Sequence, residues 1–465
     1  MNFKKITYFL LSVILSVFLA LLIFEIFSQL IPVFSKNIPE NNNIKYVYIL
    51  GESSATGTPY RQKISFSKII QYVSANKIDN KNIEIINIAV PTVRIVHQYY
   101  RYLIHRYLHP FDKGIVLVYA GTNDTSFSFP EKKYSFFYNF SLIQIISAYT
   151  GKAYDFQYIY ELIIKLSKKF GDDIYISTLA GNYAGFMPDK VENLKDNKEL
   201  TAYLDNIDNL FFEGKYEPAL ELCKKNIDDS AQQYFFYRMG KIYENQSKIK
   251  EANEFYVKAA SIQNCDIIRT RPTIYQNRII KYLALKYNVK CFDLFDKLYN
   301  SNEIIGYNFF IDKIHPTITV HIMLAEGFTD LLCEKYKITK INEQLTETQV
   351  KKKLNFSEDD VFRAYIQALS EIFVCIYRNG ILDRYSLCEI EKYIFILKNL
   401  NLIDIKKEEQ NETLEFLRKL LEYISNPKDE LKGGIKEIYN HSSNKNYFYP
   451  INADFKKLLE DNNII

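Results

Sequence analysis

The chain has 465 residues, too many for one ordinary core, and the usual domain size divides it into roughly two to four units. Hydrophobic residues make up 48% and charged residues 25%, the balance of a folded globular protein rather than a disordered one. The 59 basic and 55 acidic side chains leave a net charge of only +4, so nothing favours nucleic acid and no nucleic-acid partner is expected.

After Met1-Asn2-Phe3-Lys4-Lys5, the stretch Ile6 to Phe24 carries no charge, Pro or Gly, and apolar character continues past Glu25 to Ile31. That length suits a membrane-crossing helix. The lysines precede it, so the positive-inside rule puts the N-terminus in the cytoplasm and everything after about residue 35 outside. A cleaved signal peptide usually has a shorter apolar region and a small-x-small end, whereas this run closes on Phe27-Ser28-Gln29-Leu30-Ile31. A retained anchor over residues 1–34 is therefore expected, in contact with the membrane.

Past a polar linker, Ile44 to Leu50 reads as a buried strand, followed by Ile83 to Ile88, Gly114 to Tyr119, Ile174 to Leu179 and Val289 to Leu294. Val93 to Leu108 and Ile274 to Tyr287 read as intervening helices. Strands alternating with helices predict an α/β unit with a mostly parallel sheet, whose ligands bind at the carboxyl ends of the strands, where Gly51 and Gly121 fall.

From about Leu204 to Ile262 only helical periodicity remains. "EGKYEPALELC" (Glu213 to Cys223) and "NQSKIKEANEFY" (Asn245 to Tyr256) place Ala219 and Ala252 33 residues apart, with Leu210 and Tyr243 also aligned. That period resembles the tetratricopeptide repeat, and a chance helical hairpin would look the same. Either way the segment is a helical insertion. Residues 341–465 read as further helices without catalytic spacing; Gly433-Gly434 marks a turn. Cys223, Cys265, Cys291, Cys333, Cys375 and Cys388 form no CxxC pair, so no metal is expected and most should be small buried hydrophobes.

"LGESSATG", Leu50 to Gly57, follows the first strand with two adjacent serines. A serine needs a base, usually a histidine oriented by a carboxylate. Of six histidines, His97, His105 and His109 lie on or just after one helix as surface or packing residues, and His441 falls in a polar loop. His315, in "FFIDKIHPT", has Asp312 three residues before it, a spacing that lets one turn present both side chains to the same side. Pro316 can start the helix Thr317 to Leu332. "VLVYAGTND", Val116 to Asp124, ends a strand in a turn whose Asn123 can offer its amide to an oxyanion. Each piece has a plain alternative: a capping Asp beside a stray His, and an ordinary strand-ending turn.

Together and in this order, the pieces resemble the SGNH (GDSL-type) hydrolase family over about Lys45 to Leu332. The resemblance implies a flavodoxin-like three-layer α/β fold and ester hydrolysis with no cofactor. Gly51-Glu52-Ser53 corresponds to the first block, with Ser53 as nucleophile. "NIAVP" (Asn87 to Pro91) is the second, with the Ala89 N–H as oxyanion donor where the family has glycine. "GTND" is the third, with Asn123. Asp312 and His315 are the last. Ser54 is left as a turn or helix-capping residue, and Glu52 departs from the usual Asp. A bacterial subgroup looks closer, with an N-terminal membrane segment, a helical insert before the last block and an R-x-P…N-x-I-I stretch, here Arg269 or Arg271-Pro272 and then Asn277-Arg278-Ile279-Ile280.

The expected organisation is an anchor at 1–34, a hydrolase domain at 35–203 and 263–340, an insertion at 204–262 and a helical extension at 341–465. The expected activity is a membrane-anchored serine esterase or deacylase acting on an ester-bearing substrate outside the cytoplasm. An O-acyltransferase on the same site, or an envelope assembly protein using the insertion to hold a protein partner, are the alternatives.

Overall fold

A computed structural model describes residues 43–124, 156–188, 198–226, 231–262, 271–340, 345–379, 384–403 and 405–425. The predicted anchor, Arg269, Cys265, His441 and Gly433-Gly434 lie outside them. Among the described residues no helix is long and apolar enough to cross a membrane.

Six strands form one sheet: β1 (Ile44–Gly51), β2 (Lys77–Ile78), β3 (Lys81–Asn87), β4 (Gly114–Tyr119), β5 (Asp173–Ser177) and β6 (Lys290–Phe292), in the order β2-β3-β1-β4-β5-β6. All neighbours run parallel except β2, which pairs antiparallel with β3. The central strands are read easily because a parallel strand covered on both faces is continuously apolar: Val47 to Leu50 and Ile115 to Ala120 are all buried. The short, polar β2 was not predicted. The chain leaves β1 for β3 on one side and reaches β4 on the other, so a crevice opens at the carboxyl end of β1.

The helices between strands are α1 (Ser53–Thr56), α2 (Phe66–Val73), α3 (Ile95–Leu108) and α4 (Phe156–Phe170). The insertion contributes α5 (Lys198–Phe212), α6 (Tyr216–Lys225), α7 (Gln232–Asn245) and α8 (Ile249–Ser261), which pack as antiparallel neighbours. Ala219 and Ala252, the aligned positions, are both fully buried. Small residues permit close helix approach here: a side chain on Gly240 of α7 would run into the Tyr256 ring of α8 at 2.5 Å. The insertion is fastened to the sheet unit through Asn253, which donates to the Glu303 carbonyl (2.8 Å) and accepts from the Ile305 N–H (2.9 Å).

After the insertion come α9 (Ile274–Tyr287), α10 (Leu294–Tyr299) and α11 (Ile318–Cys333). Helices α2 and α11 pack together, and α4 packs between α3 and α9. The extension follows as α12 (Glu347–Lys353), α13 (Glu358–Asn379), α14 (Arg384–Lys398) and α15 (Lys407–Ser425). Its apolar side chains, including Val350, Phe356 and Leu369, join the same core as the sheet. Among the cysteines, Cys223 is buried as expected but Cys333 is exposed.

Candidate active site

Gly51 ends β1 where no side chain fits: a Cβ there would lie 2.4 Å from the Tyr119 carbonyl oxygen and 2.3 Å from Ala55. The close approach lets the chain turn directly into α1, whose first residue is Ser53. Gly57, with φ 88°, stops that helix after one turn. Ser53 therefore stands at the carboxyl edge of the sheet, with an N–H that has no intrahelical acceptor.

Asp312 and His315 occupy a turn closed by a short antiparallel bridge between Phe310 and Pro316. The Ile311 N–H donates to the His315 carbonyl at 2.9 Å, and the Thr317 N–H to the Phe309 carbonyl at 2.9 Å. Inside the turn, Asp312 Oδ1 accepts the N–H groups of Ile314 (2.9 Å) and His315 (2.8 Å), while Oδ2 lies 2.6 Å from His315 Nδ1. The other ring nitrogen, Nε2, lies 2.8 Å from Ser53 Oγ. Ser53 is 6% exposed and His315 8% exposed, so this line of contacts is screened from bulk water. Burial raises the Asp312 carboxyl, but the His315 ring and the hydrogen bonds it accepts outweigh this and hold it below the usual carboxylate range.

The turn is held in place from several sides. Ser54 Oγ donates to the Ile314 carbonyl at 3.1 Å, so Ser54 fastens the first block to the last and is not a cap. The Asn182 N–H donates to the Lys313 carbonyl at 3.0 Å. The loop carrying Asn182 is itself clamped by Arg271, which is buried and donates to the carbonyls of Tyr183 (3.0 Å) and Phe186 (2.7 Å). Asn277 pairs with both backbone groups of Leu179 at 2.8 Å. The Arg-Pro and Asn residues noted in the sequence thus serve to shape this loop, a role their spacing did not reveal.

Asn123 and Ala89 need separate treatment. Asn123 is buried and one hydrogen of its amide goes to the Val93 carbonyl at 3.0 Å. The Ala89 N–H is directed elsewhere: it donates to the Ile49 carbonyl and to Asn87 Oδ1, each at 3.0 Å. The expected oxyanion role of Ala89 is therefore corrected, because the end of β3 keeps bonding to β1 through this residue. The Val90 N–H likewise goes to the Gly51 carbonyl at 3.2 Å. Only at Thr92 does the backbone turn away, with φ 66°, a left-handed conformation rare for a β-branched residue. Thr92 is exposed between Val90 and Val93, and no feature of its sequence signals the conformation.

Glu52, the residue between Gly51 and Ser53, is fully buried and accepts the Gly121 N–H at 2.8 Å and the Thr122 hydroxyl at 3.2 Å. It ties the end of β1 to the end of β4. Burial, then the nearby Asp124 carboxylate, pushes the Glu52 carboxyl up to about 8. Burial also raises Asp124, to about 6, although it accepts the Ile95 N–H at 2.9 Å. Among the described residues no group of His, Cys, Asp and Glu is placed to hold a metal ion.

No family model and no curated protein matches the chain. Solved structures with a similar course of the chain include TesA, at 8% identity and a TM-score of 0.30, covering 62% of this chain and 98% of TesA. Another is a catalytic mutant of Axe2, an acetylxylan esterase from Geobacillus stearothermophilus, at 10% identity and a TM-score of 0.32, covering 63% of this chain and 95% of the esterase. A third is the lipase/acylhydrolase from Enterococcus faecalis, at 11% identity and a TM-score of 0.30, covering 64% and 99% of the two chains. At these scores the reading of the site rests on its own geometry.

Proposed function

We propose that the chain is a serine hydrolase of carboxylic esters of the SGNH type, with Ser53 as nucleophile, His315 as general base and Asp312 as the group that orients His315. The observation that carries this reading is the continuous contact from Ser53 Oγ to His315 Nε2 (2.8 Å) and from Nδ1 to Asp312 (2.6 Å). Asp312 accepts the Nδ1–H, which leaves Nε2 to accept the Ser53 proton as Oγ attacks the ester carbonyl. The imidazolium then returns the proton to the departing alkoxide as the C–O bond breaks. Water, deprotonated by the same nitrogen, cleaves the acyl-enzyme and frees Ser53.

The developing oxyanion is assigned to the Ser53 N–H and to the second amide hydrogen of Asn123, since a carboxamide nitrogen carries two and Val93 takes one. The remaining donor is assigned to the Thr92 N–H in place of Ala89. The reading extends to an enzyme anchored by residues 1–34 and acting outside the cytoplasm on acylated cell-surface glycans, with α5 to α8 as a tetratricopeptide-like surface for a protein partner.

The test is hydrolysis of p-nitrophenyl acetate and a longer-chain ester by the full chain beside Ser53→Ala and His315→Ala. Both variants should lose activity to the limit of detection, a drop on the order of 10⁶-fold where a triad operates. Full activity in Ser53→Ala would refute the assignment, and a folded parent without turnover would favour a non-catalytic role.

A further inference from the structure

Helices α3, α4 and α9 all run antiparallel to the strands and end at the same edge of the sheet. α3 ends at Leu108 shortly before β4 begins at Gly114, α4 at Phe170 before Asp173, and α9 at Tyr287 before Lys290. This is the edge where the strands start, so it is opposite the Ser53 site. Ile44 enters β1 at the same edge, about a dozen residues after the apolar run that closes at Ile31.

Large apolar side chains face solvent here: Leu108 is 71% exposed, Phe111 56% and Leu285 84%. The helix ends that carry them are joined into one surface. The Tyr107 ring of α3 packs edge-on against Phe170 of α4 at 5.3 Å, and Lys168 of α4 donates to the Tyr287 carbonyl of α9. Isolated exposed apolar residues are ordinary, whereas several set along one edge, here at the end of α3 and, across α4, at the end of α9, point to a contact surface. The cluster is set among lysines. Glu161 is paired with Lys165 at 2.8 Å and with Lys286 at 3.5 Å, and Asp173 with Lys335 at 2.6 Å. Counting Lys113, Lys165, Lys168, Lys286 and Lys335 against Asp112, Glu161 and Asp173, the edge carries positive charge in excess. Lysines near helix C-termini also answer the helix dipole, which accounts for them but not for the leucines and phenylalanine beside them.

We propose that this edge rests on an anionic lipid bilayer, with Leu108, Phe111 and Leu285 entering the headgroup boundary and the lysines facing lipid phosphates. The inference rests on the reading of residues 1–34 as a membrane anchor. Its consequence concerns the substrate. β1 spans eight residues between this edge and the turn to Ser53, which at about 3.3 Å per residue holds the site on the order of 25 Å above the membrane surface, facing away. The ester then belongs to a polymer or soluble molecule rather than to a lipid of that bilayer.

The chain contains no tryptophan, so a single introduced one reports alone. Full-length Leu108→Trp, Leu285→Trp and, as a control on the insertion, Phe212→Trp are reconstituted in vesicles of brominated phosphatidylcholine with or without phosphatidylglycerol. Blue-shifted emission quenched at least two-fold at positions 108 and 285, stronger with phosphatidylglycerol, and no quenching at 212, is the expected result. Emission at 108 and 285 as solvent-like as at 212, in protein that floats with the vesicles, overturns the inference while leaving the anchor standing. Protein that fails to float with vesicles refutes the anchor reading and the inference with it.

Discussion

The Tyr393 hydroxyl donates to the Ile311 carbonyl at 2.8 Å, one residue before Asp312. A helix of the C-terminal extension thereby supports the turn that holds Asp312 and His315. The same interface includes Glu347, which accepts the Thr319 hydroxyl at 2.6 Å, and Asp360, which pairs with Lys63 at 2.7 Å. Tyr393→Phe should cost about 1 kcal/mol, the worth of a buried neutral hydrogen bond. If the extension positions the turn, kcat falls several-fold with KM unchanged. Denaturant titration and steady-state ester hydrolysis check both parts, and a changed KM with constant kcat would speak against positioning.

Glu52 and Asp124 predict a pH dependence of stability. Their folded-state values, about 8 and about 6, lie above the ordinary 4.5 and 3.8. The native state therefore holds more protons than the unfolded chain, so their contribution is complete below about pH 4 and is lost as pH rises through 6 and 8. Glu52→Gln keeps an acceptor for the Gly121 N–H and removes the charge. The urea midpoint of the parent should fall between pH 5 and about 9, and that of Glu52→Gln should fall less.

His321 acts in the opposite sense. It is fully buried on α11, neither ring nitrogen has a hydrogen-bond partner among the described residues, and burial, then the His315 charge, pushes it down to about 3. Its neutral form contributes stability above pH 6.5 that is lost as pH falls toward 3, because the unfolded chain takes up the proton first. His321→Leu removes two partnerless polar atoms at similar volume. At pH 7 the variant should be as stable as the parent or more stable by about 1 kcal/mol, with a weaker acid dependence in thermal melts.

Asp172 lies far from Ser53, at the edge where the strands begin. It accepts Arg106 Nε at 2.9 Å, the Tyr102 hydroxyl at 2.6 Å and the Gly114 N–H at 2.9 Å, and both members of the ion pair are buried. Asp172→Asn leaves the Arg106 charge uncompensated in the interior and should cost about 3–5 kcal/mol. Activity per folded molecule should be unchanged, which separates this variant from those of the turn when unfolding and turnover are measured together.

What the amino-acid sequence determined by itself are the features that local chemistry encodes. A buried parallel strand must be apolar throughout, so β1 and β4 could be read directly, and the 3.6-residue period showed α3, α9 and the helical insertion. Asp312 and His315 are three residues apart, close enough for one turn to bring them together. Tertiary structure alone decided the rest. Ser53 meets His315 across 262 positions, and only the sheet brings the ends of β1 and the last turn to 2.8 Å. Whether the Ala89 N–H is available depends on which carbonyl lies within 3.0 Å, a matter of the β1–β3 register, and that register committed it to Ile49. The left-handed Thr92, the tether from Ser54 to Ile314 and the brace from Tyr393 likewise depend on distance in space, and residue type and sequence spacing do not record it.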